Sequence, residues 1–411
     1  MTGQLPNRTG VRCPIVASIL ASVTGPDRPG ITAALLRALT DAGAEILDME
    51  QVDIRGRLNL GIEFRAPERS GVMKDLLYIG WEYGVTVRFE VLDDETEEEE
   101  DGTRHAVSVI GSPLTPDDLR AVTEAIAAAG GNIERIIRLA TYPVKAYEFE
   151  VFRTGDANLR AAVLQAAAER PDVDVSVQPL QLERRAKRLV VVDVDSTLIV
   201  DEVIDVLADE AGVGEQVAAV TAAAMAGELE FEESLRKRAA LLAGAPETIL
   251  ETAWERITPT PGARTFVRTL RRLGYEIAAI SGGFDYFTER LADDLGIQHS
   301  HANRLEVAGG VLTGNLVGPV LDAEAKAEIL TEIAAEADVP LEQVVAIGDG
   351  ANDLPMLSVA GLGIAFNAKA IVRENSDVEI NVPYLDAVLF LLGIRRSEIE
   401  EVAGADGPPV P

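Results

Sequence analysis

A single cysteine, Cys13, stands among 411 residues, so no disulfide can close within the chain. A lone thiol this close to an end is read as incidental, not as a nucleophile. Aromatic residues supply only 5% of the composition, while hydrophobic residues supply 47%, so the core has to be built from Ala, Val, Leu and Ile. Basic side chains are also scarce, 37 Lys and Arg against 68 Asp and Glu, a formal charge of −31. That balance lacks the basic footprint of nucleic-acid binding and opposes attraction to anionic membranes. No run approaches the roughly 20 apolar residues of a membrane span. MTGQLPNRTGVRCP has no continuous apolar segment of the secretory kind, and a cytoplasmic location is expected. Any site for an anionic substrate must therefore be assembled locally against an unfavourable overall field.

The length suggests about three domains. Residues 14–92 alternate between strand and helix patterns. PIVASILASV (14–23) reads as a strand ending at TGPDRPG. Ile31, Leu35, Leu36 and Leu39 then repeat at helical spacing up to Gly43. EILDMEQVDI and LNLGIEFRA are two strands split by Arg55-Gly56-Arg57, a hairpin-like turn. A second helix surrounds Met73–Trp81, and VTVRFEVL (85–92) closes a βαββαβ order. The acidic run DDETEEEEDGTR (93–104) reads as a solvated linker. The order then repeats over 105–183, with Asp117 and Asp118 favourably placed in the first turn of its first helix. One unit thus occurs twice.

GPDRPGI at 25–31, followed by a helix and DAGAEILDMEQ, resembles an ACT domain; in the second copy GSPLTPDDL replaces the DRPG turn. The resemblance implies two ferredoxin-like domains, each able to bind a small amino acid at a helix-facing loop, often between two chains. A homodimer and an amino-acid effector are expected from it. On the residues alone, Gly25 and Gly30 need serve only a tight strand-to-helix turn.

From Arg188 the texture changes to hydrophobic strands alternating with helices, which predicts an α/β domain with a parallel sheet over 184–397. Three strands end in polar residues: LVVVDVDST, EIAAISGG and VVAIGDGAND. An Ala-, Glu- and Leu-rich helical stretch, about 202–260, interrupts the pattern as an inserted cap. Residues 398–411 are expected to be a mobile tail.

The stretch VVVDVDSTLI (190–199) poses a physical problem. Two carboxylates one residue apart follow a run that must be buried, and positions i and i+2 share a face in extended chain. They need a cation, or a proton on one of the pair. Ligands of open α/β sheets gather at the carboxyl ends of strands, where all three polar motifs fall.

DVDST (193–197), Ser281-Gly282-Gly283, Lys326 and GDGAND (348–353) match, in order, the motifs of the haloacid dehalogenase superfamily. The resemblance implies a Rossmann-like core, Asp193 as nucleophile toward phosphorus and Asp195 as general acid and base. It implies Mg²⁺ held by Asp193, the backbone carbonyl of Asp195, and Asp349. Lys326, Ser281 and the backbone at Gly282 would hold phosphate oxygens, with Asn352 donating to phosphate or orienting a ligand. Asp353 would orient Lys326 or a metal-bound water. Taken singly these residues mean little: an Asp-Gly pair is usually a turn and a lysine usually solvated.

The cap narrows the substrate. Glu202 in STLIVDEVID and the segment AMAGELEFEESLRKRAALL (224–242) closely match the phosphoserine phosphatase family. That resemblance implies Glu202 at a substrate ammonium, Arg238 at its carboxylate, and Met225 and Phe231 against a small side chain. A zwitterion needs one anionic and one cationic partner, and a bidentate Arg suits a carboxylate. The expected activity is hydrolysis of O-phospho-L-serine to L-serine and phosphate through an aspartyl phosphate, the last step of L-serine biosynthesis, with L-serine as the expected effector. Two alternatives stay open: another small phosphate ester such as phosphothreonine or a sugar phosphate, and an amino-acid sensor with a vestigial catalytic half. His299 and His301 are expected at a strand edge or loop, not as a metal pair.

Overall fold

The computed structural model describes residues 18–67, 70–92, 103–181, 184, 186–226 and 228–404, and divides into two compact units, residues 1–100 and 101–411. The acidic stretch 93–102 lies outside the described residues.

The first unit is one βαββαβ repeat. Strands β1 (Ser18–Pro26), β2 (Glu45–Asp53), β3 (Arg57–Arg65) and β4 (Thr86–Leu92) form an antiparallel sheet in the order β2-β3-β1-β4. Helices α1 (Ile31–Asp41) and α2 (Val72–Tyr83) accompany it. Alternation along β3 puts Leu58, Leu60, Ile62 and Phe64 into a core with Ile31, Leu35, Leu39 and Leu76. The opening strand runs to Pro26, beyond the expected end at residue 23, because its pairing with β3 continues to Arg57. Gly30 begins α1 at φ 96°, a left-handed turn that suits glycine.

The second unit opens with the repeat of that fold: β5 (Thr103–Gly111), α3 (Pro116–Ala128), β6 (Asn132–Ala140), β7 (Lys145–Thr154), α4 (Asp156–Ala168) and β8 (Val173–Pro179), in the sheet order β6-β7-β5-β8. Thr115 and Asp118 form a reciprocal capping box at the start of α3.

A seven-stranded sheet follows, in the order β12-β11-β10-β9-β13-β14-β15. Its strands are β9 (Leu189–Val192), β10 (Glu276–Phe284), β11 (His299–Ala308), β12 (Val311–Val317), β13 (Val344–Gly348), β14 (Leu362–Phe366) and β15 (Val378–Ile380). All neighbours run parallel except β12, which returns on β11. Central β9 shows why a four-residue apolar run becomes a strand: Leu189 and Val191 face one hydrophobic cluster, Val190 and Val192 the other. The chain leaves β9 for β10 on one side and later β13 on the other, so a crevice opens at its carboxyl end.

The inserted cap consists of helices Val203–Glu210, Gly214–Met225, Phe231–Leu241 and Ile249–Trp254. Its two connections to the core are stitched together: Val200 N–H donates to Thr258 C=O (3.0 Å) and Thr258 N–H to the Asp201 carboxylate (2.7 Å). The β11–β12 hairpin backs the cap, since a methyl group at Gly314 would lie 2.9 Å from Ala243 Cβ. The tail expected from residue 398 begins instead as a helix, Arg396–Gly404, because Ile399 is buried and Arg396 reaches the Asp386 carboxylate at 2.7 Å. Residues 405–411 lie outside the described residues.

Candidate active site

Asp193 is the first residue past β9. Its N–H still pairs with Ile347 C=O on β13 (2.9 Å), and its carboxylate accepts Val194 N–H (2.8 Å). The chain then makes one wide turn over Val194–Leu198, closed by Ile199 N–H on Val194 C=O (3.0 Å). Ser196 sits in the left-handed region at φ 55°, a conformation costing a non-glycine residue of the order of 1 kcal/mol. Its hydroxyl donates to Glu202 (2.9 Å), the first residue of the cap.

This turn separates the two carboxylates that sequence places on one face of a strand. The Asp193 carboxylate lies beside buried Lys326, whose Nζ is 2.7 Å from Asp193 Oδ1 and 2.7 Å from Asp353 Oδ1. Asp195 turns to the other side, where one oxygen accepts Val203 N–H (2.8 Å) and the other the Ser281 hydroxyl (2.9 Å). Gly283 N–H donates in turn to Ser281 Oγ (2.7 Å). A side chain at Gly283 has no room, since its Cβ would stand 2.6 Å from Asp195 Oδ2.

Among the described residues, the carboxylates of Asp193, Asp349 and Asp353 converge, with one oxygen of each within 4.8 Å of the others. The Asp195 side chain is not in this group, so only its backbone carbonyl remains for the expected metal set. Asp353 combines contacts: it binds Lys326, accepts Gly350 N–H (3.0 Å) and stands in the acidic group. Burial, then Asp353, raises the Asp193 carboxyl well above the carboxylate range, against the pull of Lys326. Burial, then Asp353 and Glu202, pushes Asp349 up to about 7. Lys326 is held charged because Asp193 and Asp353 outweigh the burial that opposes it. Three hard-oxygen donors whose negative charges crowd one another fit a divalent cation of the Mg²⁺ type.

Across the crevice stand the cap residues. Arg238 is half-buried on the helix Phe231–Leu241, and burial lowers its pKa against the fields of Glu202, Asp205 and Asp195. No hydrogen bond or ion pair engages its guanidinium among the described residues, and its Nε is buried without a partner. Glu202 is raised by desolvation and by Asp195. Phe231 reaches the Ser281–Gly283 segment, since a methyl group at Gly282 would lie 3.0 Å from its Cζ. The cap is thus down on the core. Met225 ends the helix Gly214–Met225, and Asn352 is half-buried in the short turn Ala351–Asp353.

Sequence reading did not single out two residues here. Lys369 donates its backbone N–H to Asp349 C=O (3.3 Å), and its charge favours the ionised forms of Asp349 and Glu202. Asn303, buried on β11, bonds to Gly282 C=O (2.9 Å) and to Leu321 N–H (2.7 Å). Nothing in HANRL marks that asparagine. His299 and His301 pair with Ala278 and Ile280 on β10 before β12 joins, and His299 Nε2 lies 3.2 Å from Glu276.

Fold and site define a haloacid dehalogenase-like hydrolase, whose family model matches residues 190–358, while ACT-domain models match 17–90 and 103–178. The chain is 47% identical to a phosphoserine phosphatase of Streptomyces coelicolor, covering 94% of each chain. It is 45% identical to one of Mycobacterium tuberculosis, over 96% of this chain and 97% of that one. The crystal structure of a HAD family hydrolase from Salmonella enterica superposes with a TM-score of 0.62 at 30% identity, covering 70% of this chain and 98% of that one. The chain belongs to the phosphoserine phosphatase family of these hydrolases, with two ACT domains ahead of the catalytic domain.

Proposed function

We propose that the chain is a Mg²⁺-dependent enzyme that hydrolyses O-phospho-L-serine to L-serine and phosphate by way of an aspartyl phosphate. One observation carries the reading: Asp193 and Asp195 leave the same strand end yet face opposite partners, Lys326 and Asp353 for one, Ser281 and Val203 N–H for the other. In this reading an Asp193 oxygen bonds to phosphorus as the bond from phosphorus to the serine oxygen breaks. Asp195, raised by burial and so able to carry a proton, gives it to that oxygen. A water then attacks the phosphorus of the aspartyl phosphate, Asp195 takes its proton back, and phosphate leaves with Asp193 regenerated.

Asp193, Asp349 and the backbone carbonyl of Asp195 are the proposed holders of the cation, whose charge would offset that of the phosphate. Lys326, Ser281 and the backbone at Gly282 are the proposed phosphate ligands, with Asn352 beside them and Asp353 orienting Lys326. Glu202 takes the substrate ammonium and the unpaired Arg238 its carboxylate, while Met225 and Phe231 limit the side chain. The reaction would complete L-serine synthesis in the cytoplasm. The ACT domains would bind an amino acid, L-serine in the first instance, in a homodimer. Feedback requires the effector to bind an inactive arrangement more tightly than the active one.

The deciding assay is phosphate release from L-phosphoserine, L-phosphothreonine and a sugar phosphate, with Mg²⁺ or a chelator, for wild type and Asp193→Asn. Metal-dependent turnover of phosphoserine that disappears in the variant supports the reading. Preference for another ester would retain Asp193 and discard the roles of Glu202 and Arg238. Absence of turnover with every ester would favour a sensor.

A further inference from the structure

We propose that Asn303 is a positioning residue for phosphate binding: one buried amide locks the strand end carrying Ser281 to the helix carrying Lys326. The inference rests on the reading of Ser281 and Lys326 as phosphate ligands. The ladder between β10 and β11 runs in register from Ala278 to Ile280, breaks at the bulge over Ser281–Gly283, and resumes where Phe284 pairs with Asn303. Gly282 has no counterpart in that register, and Asn303 Nδ2 donates to its carbonyl at 2.9 Å. The same amide treats Leu321 as a neighbouring strand would. Its Oδ1 accepts Leu321 N–H at 2.7 Å, and its Nδ2 lies 3.4 Å from Leu321 C=O.

Leu321 directly precedes Asp322, which caps the helix Ala323–Glu336 by accepting Ala325 N–H at 2.9 Å. Lys326 stands in the first turn of that helix, its own N–H on Asp322 C=O (3.1 Å). Asn303 therefore ties two elements, far apart in sequence, that present a hydroxyl and an ammonium to one phosphate. It touches neither the substrate nor the reacting atoms. It is 4% exposed, and a buried amide with both ends engaged holds its geometry because each lost bond leaves a desolvated backbone group behind.

The test uses the full chain with Asn303→Asp, which keeps the shape but faces an oxygen toward the Gly282 and Leu321 carbonyls, and with Asn303→Ala and Asn303→Ser. Steady-state kinetics, the inhibition constant of inorganic phosphate, the ratio of turnover of L- to D-phosphoserine, and Tm are measured. A displacement of the order of 1 Å at a binding group costs about a hundredfold in rate. Accordingly kcat falls and the phosphate inhibition constant rises by about ten- to a hundredfold. The L-to-D ratio, read by Glu202 and Arg238 in the cap, stays within about twofold.

Ser281→Ala and Lys326→Met separate the two levels of the claim. If they leave phosphate affinity unchanged, the underlying ligand reading fails. If they weaken it while folded Asn303 variants bind phosphate like wild type, the positioning role is overturned. A fall in Tm alone, a loss of the L-to-D ratio in step with kcat, or failure of all three variants to fold would also overturn it, in favour of a purely structural role.

Discussion

The two copies of the βαββαβ unit share a strand register, yet the sheet face turned away from the helices meets opposite surroundings in each. In the first copy Ser22 sits opposite Arg88 on β4 and Gly61 on β3, and Thr24 sits opposite Thr86 and Asn59. Ser22, Thr24, Asn59, Thr86 and Arg88 are all exposed. In the second copy Ser108 sits opposite Ser176 and Glu148, and Ile110 opposite Asp174 and Ala146. All six of these residues are buried. Strand β8 reads Val-Asp-Val-Ser-Val-Gln, the alternation of a strand with one wet face, but its polar side is dry.

What covers that face is the catalytic domain. Asp174 accepts the Asn381 backbone N–H and Nδ2 at 2.9 Å each, and Val382 N–H at 3.3 Å. Gln178 Nε2 donates to Leu391 C=O at 3.2 Å, and Arg184 bridges Glu148 and the same carbonyl. Ile110, Leu139, Val144 and Ala146 join the hydrophobic core of the phosphatase sheet. The second repeat keeps a core of its own beneath its helices and is packed by its other face as part of the catalytic unit, whereas the core of the first gathers residues of that repeat alone. A polar residue on an alternating strand reports only that it has polar partners, not that they are water.

The comparison breaks most severely if position 176 is made like its counterpart. Ser176→Arg places an unpaired guanidinium at a site 1% exposed and is expected to cost more than about 4 kcal/mol. The reciprocal Arg88→Ser should stay within about 0.5 kcal/mol. Denaturant unfolding resolves them with one tryptophan at a time: Trp254 in the cap reports the catalytic unit in a Trp81→Phe background, and Trp81 reports the first repeat in a Trp254→Phe background.

Next in size, Ile110→Ala opens a cavity in the shared core and should cost about 2–5 kcal/mol. Thr24→Ala at the matching exposed position should be near neutral in the same experiment.

Removing the Asp174 carboxylate sharpens the contrast further. Asp174→Ala leaves three donors at Asn381 and Val382 without their acceptor, for a loss of about 1–3 kcal/mol. Thr86→Ala should change little.

The last effect, graded across a pH range and not all-or-none, comes from titration. Burial raises Asp174 from 3.8 to about 6. A carboxyl that holds its proton more tightly when folded contributes stability that is full below pH 4 and is lost as pH rises through 6, by up to about 3 kcal/mol. Asp174→Asn does not titrate. The difference in unfolding free energy, wild type minus variant, should therefore decline across pH 4 to 6 and level off above it. A difference independent of pH would show that Asp174 titrates normally in the fold.

Much of this architecture is legible in the chain. The doubled βαββαβ order follows from apolar periodicity, and the capping box at Thr115 and Asp118 was foreshadowed by acidic residues at a helix start. The apolar run at 189–192 stops where Asp193 begins, the motif at Ser281 lies at the carboxyl end of its strand, and Asp349 follows β13 directly. Less legible were features that depend on a distant partner. The tail helix at Arg396–Gly404 holds because Asp386 and a pocket for Ile399 meet it. Asp353 joins the acidic group because the turn after Gly348 folds back, where a methyl group at Gly348 would stand 2.4 Å from its carboxylate.

By itself the sequence determined which segments become strands and helices, where three strands end in polar side chains, and that a cap interrupts the catalytic domain. These are local matters, governed by periodicity and by the chemistry of neighbours in the chain. Tertiary structure alone decided which carboxylate faces the lysine and which the serine, since Lys326 and Ser281 reach Asp193 and Asp195 from distant parts of the chain. It alone decided that the second repeat is built into the catalytic unit. Burial is a property of what arrives from elsewhere in the chain, and an alternating strand reads the same whether water or Asn381 lies across from it.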